Sequence, residues 1–161
     1  MSRNNYAFID GQNLDKSIKE LGWILDYKKF KVFLESNFFI IKAFYFIGYI
    51  PENQKLYKDL RNSGFTLSLR KPVKDTFGNI RANVDSNLIT HTLMKIDSYN
   101  KAVIVAGDSD YYCLAKYLLR RNKLKQILIP SSSKCPKIFR QYKNFRNYIS
   151  YLDRQKEVLQ K

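Results

Sequence analysis

The 161 residues give room for one compact domain that hides roughly 70% of its unfolded surface, which excludes a multidomain machine. Hydrophobic residues make up 45% of the chain, with 11 Phe, 12 Tyr and 1 Trp, far from the composition of a disordered segment. The formal charge is +15, and from Lys116 onward 13 basic residues face two acids, Asp153 and Glu157, a field that draws polyanions by counterion release and makes RNA or DNA the expected partner.

In chain order, Tyr6 to Gly11 is an apolar run ending at an acid and a glycine, which predicts a buried first strand. Gln12 to Leu21 and Tyr27 to Leu34 have helical apolar spacing, the second behind Asp26 as N-cap. Phe38 to Ile50 is aromatic and β-branched, a strand, and Pro51 opens a helix through Leu60. Phe65 to Leu69 alternates as a strand near the sheet edge, and Arg70 to Arg81 is a basic loop. Asn83 or Asp85 caps a helix to about Ser98, followed by the most uniform strand, Ala102 to Ala106. A helix after Asp110, a strand Gln126 to Ile129, and a helix from about Lys134 with Ile138, Tyr142 and Phe145 on one face complete the pattern. A short strand near Tyr148 and a frayed helical tail end it. Strands alternating with helices predict an α/β fold, a three-layer α/β/α sandwich around a mainly parallel sheet. The expected division is a domain over 1–152 and a helical tail over 153–161.

Phe38 to Pro51 is interrupted by Lys42 and too short to span a bilayer, and the N-terminus has no signal-peptide pattern, so the expectation is a cytoplasmic protein with no membrane partner. Cys113 and Cys135 cannot form a zinc set with the lone His91. Cys113 reads as a small core residue and Cys135 as opening the late helix.

Ligands of open parallel sheets bind outside the carboxyl ends of the strands, where strand order reverses. Asp10-Gly11-Gln12-Asn13 ends the first strand and Gly107-Asp108-Ser109-Asp110 ends the strongest. Asp85, at a helix start, can lean into the same crevice. Gathered carboxylates repel by about 4 kcal/mol per pair at 4 Å and an effective dielectric of 20, so protons or a cation must neutralise them. A hard divalent ion suits oxygen ligands and phosphodiester chemistry. Taken singly, Asp108 or Asp110 equally well caps the following helix. Asn13 is placed to orient the acids, and Tyr111 either stacks on a base or packs beneath the helix.

Phe8-Ile9-Asp10-Gly11-Gln12-Asn13, Arg81-Ala82-Asn83-Val84-Asp85 and Val103 to Tyr111 resemble, in order and spacing, the motifs of the NYN domain (LabA-like, or DUF88) within the PIN-like nucleases. The resemblance runs to about Leu152. It implies a PIN-like fold with strand order 3-2-1-4-5, a Mg²⁺- or Mn²⁺-dependent ribonuclease, and metal-site acids at Asp10, Asp85, Asp108 and Asp110, with Asn13 also on a motif position. Family members often carry lysine where Arg81 stands and a further acid where this chain has His91. His91 is then a neighbour of the metal site, a substrate contact or a surface residue.

The leading expectation is a metal-dependent endoribonuclease. The alternative is a catalytically inactive RNA-binding or protein-interaction module with the same fold; phosphatase chemistry lacks the second Asp of a D-x-D-x-T pattern at Asp10. Arg70, Lys71, Lys74 and Arg81 form one basic lip for RNA, and Lys134, Lys137 and Arg140, at three-residue intervals on one helix, form the other. RNA is the expected partner, and a homodimer is left open.

Overall fold

The computed structural model describes residues 3–81 and 83–161. Among these, a six-stranded sheet is formed by β1 (Asn5–Asp10), β2 (Ile40–Gly48), β3 (Thr66–Arg70), β6 (Ala102–Val105), β7 (Leu124–Ile129) and β8 (Ile149–Tyr151). Its order is β3-β2-β1-β6-β7-β8, and every neighbouring pair is parallel. Counting only these strands, the order is 3-2-1-4-5-6. The expected 3-2-1-4-5 is thus extended by β8, too short to weigh heavily in the sequence but paired with β7 from Ile127 to Ile129. Two further strands, β4 (Val73–Lys74) and β5 (Ile80–Arg81), form a separate antiparallel hairpin.

Helices cover both faces: α1 (Gly11–Glu20), α2 (Tyr27–Phe38), α3 (Gln54–Asn62), α4 (Val84–Met94), α5 (Tyr112–Arg120), α6 (Lys137–Gln141) and α7 (Lys156–Leu159). The fold is three-layered α/β. Period-2 alternation explains the two cores. Tyr6 and Phe8 join Phe44, Phe46 and Ile104 under α4 and α5, whereas Ala7 and Ile9 join Tyr45, Val103 and Val105 under α1, α2 and α3. By the same parity Asp10, two residues beyond Phe8, is directed to the α4 and α5 side.

Gly11 is dictated by a close approach. A Cβ there would lie 2.3 Å from Ile47 Cγ2 and from Tyr45 Cε1, so α1 can sit this low on β2 only without a side chain.

Four expectations need correction. α2 runs to Phe38, ended by Phe39 at φ +56°, because its buried Phe30 and Leu34 keep the helical period going. Cys113 is exposed on α5, while Leu114, Ala115 and Leu118 hold the buried stripe. Pro136 separates Cys135, which closes a 3₁₀ turn, from α6, so the late helix is two short pieces; Phe139 rather than Ile138 is its buried residue. The tail does not fray: Leu159 is fully buried, Asp26 N–H donates to the Leu159 carbonyl at 2.8 Å and Lys161 N–H to that of Ile24 at 2.9 Å. No helix among the described residues is long and apolar enough to cross a membrane.

Candidate active site

Strand order reverses between β1 and β6, which leave the sheet side by side, Ile9 opposite Val105. The chain then turns on two capping aspartates. Asp10 Oδ1 accepts the Asn13 N–H at 3.0 Å and starts α1, satisfying one of the orphan donors of a helix N-terminus. Asp108 Oδ1 accepts the Asp110 N–H at 2.8 Å and starts the 3₁₀ turn Ser109–Tyr111 that leads into α5. Asn83 caps α4 by accepting from Ser86 N–H, and buried Val84 and Leu88 lay that helix on the sheet. Asp85 therefore stands in the first turn of α4 at the same crevice.

Carboxylate oxygens of Asp85, Asp108 and Asp110 lie within 4.8 Å of one another. Asp10 is behind them, 3% exposed, and is connected through Tyr111. The buried Tyr111 hydroxyl sits 2.8 Å from Asp10 Oδ2 and 3.0 Å from Asp85 Oδ1. One phenolic hydrogen cannot satisfy two carboxylates. Burial and the two neighbouring charges hold the Tyr111 hydroxyl far above its ordinary range, so it remains a donor.

The acids feel the deficit. Burial raises the Asp10 carboxyl, the Asp108 charge adds to it, and the bonds from Asn13 and Tyr111 only partly offset both. Burial also pushes Asp85 up to about 6, reinforced by the hydrogen bond with Asp110 and the charges of Asp10 and Asp108. At 4.8 Å and an effective dielectric of 20, each ionised pair costs roughly 3 kcal/mol. An all-oxygen set under this repulsion fits a hard divalent cation such as Mg²⁺ or Mn²⁺.

The remaining sequence-derived residues are placed as follows. The Asn13 carboxamide oxygen accepts the Gly107 N–H at 2.7 Å; it pins the turn before Asp108 to α1 instead of bonding a carboxylate. Arg70, Lys71 and Lys74 are exposed on the rim at the carboxyl end of β3. Arg81 closes β5, but its side chain and Ala82 lie outside the described residues. The lysine and arginine trio is not one helical row: Lys134 belongs to the 3₁₀ turn Ser132–Lys134 and pairs with Glu20, Lys137 opens α6, and Arg140 Nη2 donates to the Ser132 carbonyl at 2.6 Å. His91 packs edge-on against Phe46 at 5.4 Å between ring centroids, and burial holds its imidazole below the usual value. A polar cavity of about 250 Å³ lies beside α1, with Asn13, Lys16, Ser17, Glu20, Gly107, Ser131 and Lys134 in its wall; it reaches the acid motif only at Gly107. Lys16 and the bridging role of Tyr111 were not anticipated. Only the position of Tyr111 directly behind the acid motif signalled it.

The NYN domain matches residues 6–152. The chain belongs to the NYN domain family. That family lies within the PIN-like nuclease superfamily, so the fold is nuclease-like, and an acidic cluster consistent with it lies at the switch point of the sheet. No curated protein matches the sequence. A crystal structure of a protein of unknown function from Vibrio parahaemolyticus is similar, with a TM-score of 0.70 at 16% identity over 92% of this chain and 90% of the other. That likeness establishes the fold of this NYN chain alone.

Proposed function

We propose that this NYN-domain chain is a divalent-metal-dependent ribonuclease, cutting RNA internally by hydrolysis of phosphodiester bonds in the cytoplasm. The observation that carries the reading is the convergence of Asp85, Asp108 and Asp110 within 4.8 Å at the switch point of the sheet. These three would hold Mg²⁺ or Mn²⁺. Bound there, the cation would supply Lewis acidity toward a phosphoryl oxygen and lower the pKa of a water.

The chain's own groups have separate tasks. Asp10 and Tyr111 fix the orientation of Asp85, as partners behind a ligand do. Asn13 holds the Gly107 turn so that Asp108 and Asp110 face Asp85. Lys16, in the wall of the cavity shared with Asn13 and Gly107, would present an ammonium to a neighbouring phosphate, while Arg70, Lys71 and Lys74, farther along the same rim at the end of β3, would supply salt-sensitive attraction. The +15 charge favours a polyanion over a small phosphate ester.

The test is incubation of purified protein with a labelled 30-nucleotide RNA and Mn²⁺. Internal cuts that chelator and Asp108→Asn both abolish are the expected result. RNA binding unchanged by chelator, with no cutting above the Asp108→Asn level, would show an inactive binding module instead.

A further inference from the structure

The basic loop between β3 and α4 is an organised hairpin. Val73 pairs with Arg81 and Lys74 with Ile80. Its turn is closed by Asp75 N–H to the Asn79 carbonyl at 2.8 Å and Gly78 N–H to the Asp75 carbonyl at 3.0 Å. Asp75 Oδ1 accepts from both Phe77 N–H and Asn79 N–H at 2.9 Å, and Gly78 takes φ +81°, a conformation that costs glycine nothing. The acid is thereby folded into the turn and Phe77 is directed outward, 90% exposed.

Such exposure leaves a large apolar ring in water, where its burial against a ligand would be favourable. The surroundings indicate what would cover it. Thr76 and Asn79 are exposed and polar, Lys71 and Lys74 are exposed cations, and among the described side chains of the hairpin Val73 is the other large exposed apolar one. A protein partner would favour a wider apolar patch. A planar base joined to phosphates matches one aromatic ring among cations. The position fits as well: the hairpin leaves the carboxyl end of β3 and leads into α4, whose first turn carries Asp85. Arg81 to Phe77 is four residues, at most about 13 Å at 3.3 Å per residue.

We propose that Phe77 is a base-stacking residue for single-stranded RNA, with Lys71 and Lys74 against the adjacent phosphates. The inference rests on the ribonuclease reading for the nature of the polymer, but stacking itself needs no cleavage. The test is fluorescence anisotropy of a labelled 12-nucleotide single-stranded RNA with the full chain in chelator, so that nothing is cut. Phe77→Ala should weaken binding roughly 5- to 100-fold, Phe77→Tyr should stay within about twofold, and an abasic oligomer of equal length should be indifferent to Phe77→Ala. Unchanged RNA affinity in Phe77→Ala, or an equal loss on the abasic oligomer, would overturn the proposal. Phe77-dependent binding by a chain that cuts no RNA with Mn²⁺ would support stacking while removing the nuclease reading. Cutting with affinity and KM unaltered by Phe77→Ala would do the reverse.

Discussion

Two clusters on opposite faces of the sheet pair aspartates with tyrosine hydroxyls, in opposite proportions. On the α4 and α5 side, one hydroxyl, Tyr111, lies between two carboxyls, Asp10 and Asp85. On the α1 side, two hydroxyls, Tyr27 at 3.0 Å and Tyr45 at 2.7 Å, converge on Asp15 Oδ1. The first cluster has too few donors and faces two further acids at an open rim, so it needs protons or a cation. The second supplies two donors to one oxygen within the aromatic packing of Tyr27, Tyr45 and Phe65. On the proposed reading the under-supplied cluster serves chemistry and the donor-rich one serves structure.

The largest effect should come from removing a charge from the rim. Asp85→Asn or Asp108→Asn should lower RNA cutting at least about 100-fold in an initial-rate assay, while the thermal midpoint holds or rises because like-charge repulsion is relieved. Because the Asp85 carboxyl is raised to about 6, it is neutral and a poor ligand below that pH. Cutting and Mn²⁺ affinity should therefore climb between about pH 5 and 7.

A smaller loss is expected from Tyr111→Phe, which keeps the ring and deletes the bridge. Cutting should fall about 10- to 100-fold. The bonds from Tyr111 lower both carboxyls, so the acidic limb of the pH profile should move upward, a displacement that loss of packing alone would not cause. The counterpart in the other cluster, Tyr45→Phe, should cost about 1–3 kcal/mol in denaturant unfolding and leave the RNA-cutting rate and its pH profile unaltered. Equal loss of activity in both variants would erase the distinction between the clusters.

Asp15→Asn should give the mildest change, visible in pH dependence. Burial raises the Asp15 carboxyl from its ordinary value to about 6 despite both phenols. The folded state then binds more protons than the unfolded state between about pH 4 and 6, so stability falls as pH rises through that window, by up to about 3 kcal/mol. Replacement by Asn should flatten that slope in urea titrations, with little change in cutting.

Much of this was legible before any coordinates. Apolar runs ending in Asp10-Gly11 and Gly107-Asp108 mark central strands because a doubly covered strand has no polar face, and the alternation with helices then fixes which ends share a rim. Capping by Asp26 and Asn83 is equally local. What was hidden depends on contacts across the sheet. Nothing in the spacing ties Tyr111 to Asp10, 101 positions earlier, or Asp15 to Tyr45. Pro136 announces a break in the late helix, yet the apolar spacing of Ile138, Tyr142 and Phe145 masks it. The parity that directs Asp10 to the α4 side could have been counted from Tyr6 and Phe8; that α4 carries Asp85 to meet it follows only from packing.

The most direct measurement is anomalous diffraction from crystals of the full chain soaked in Mn²⁺. A peak within coordination distance of Asp85, Asp108 and Asp110, absent in Asp108→Asn crystals, is the predicted result. Manganese found only elsewhere, or three empty carboxyls at saturating Mn²⁺ and neutral pH, would contradict the account.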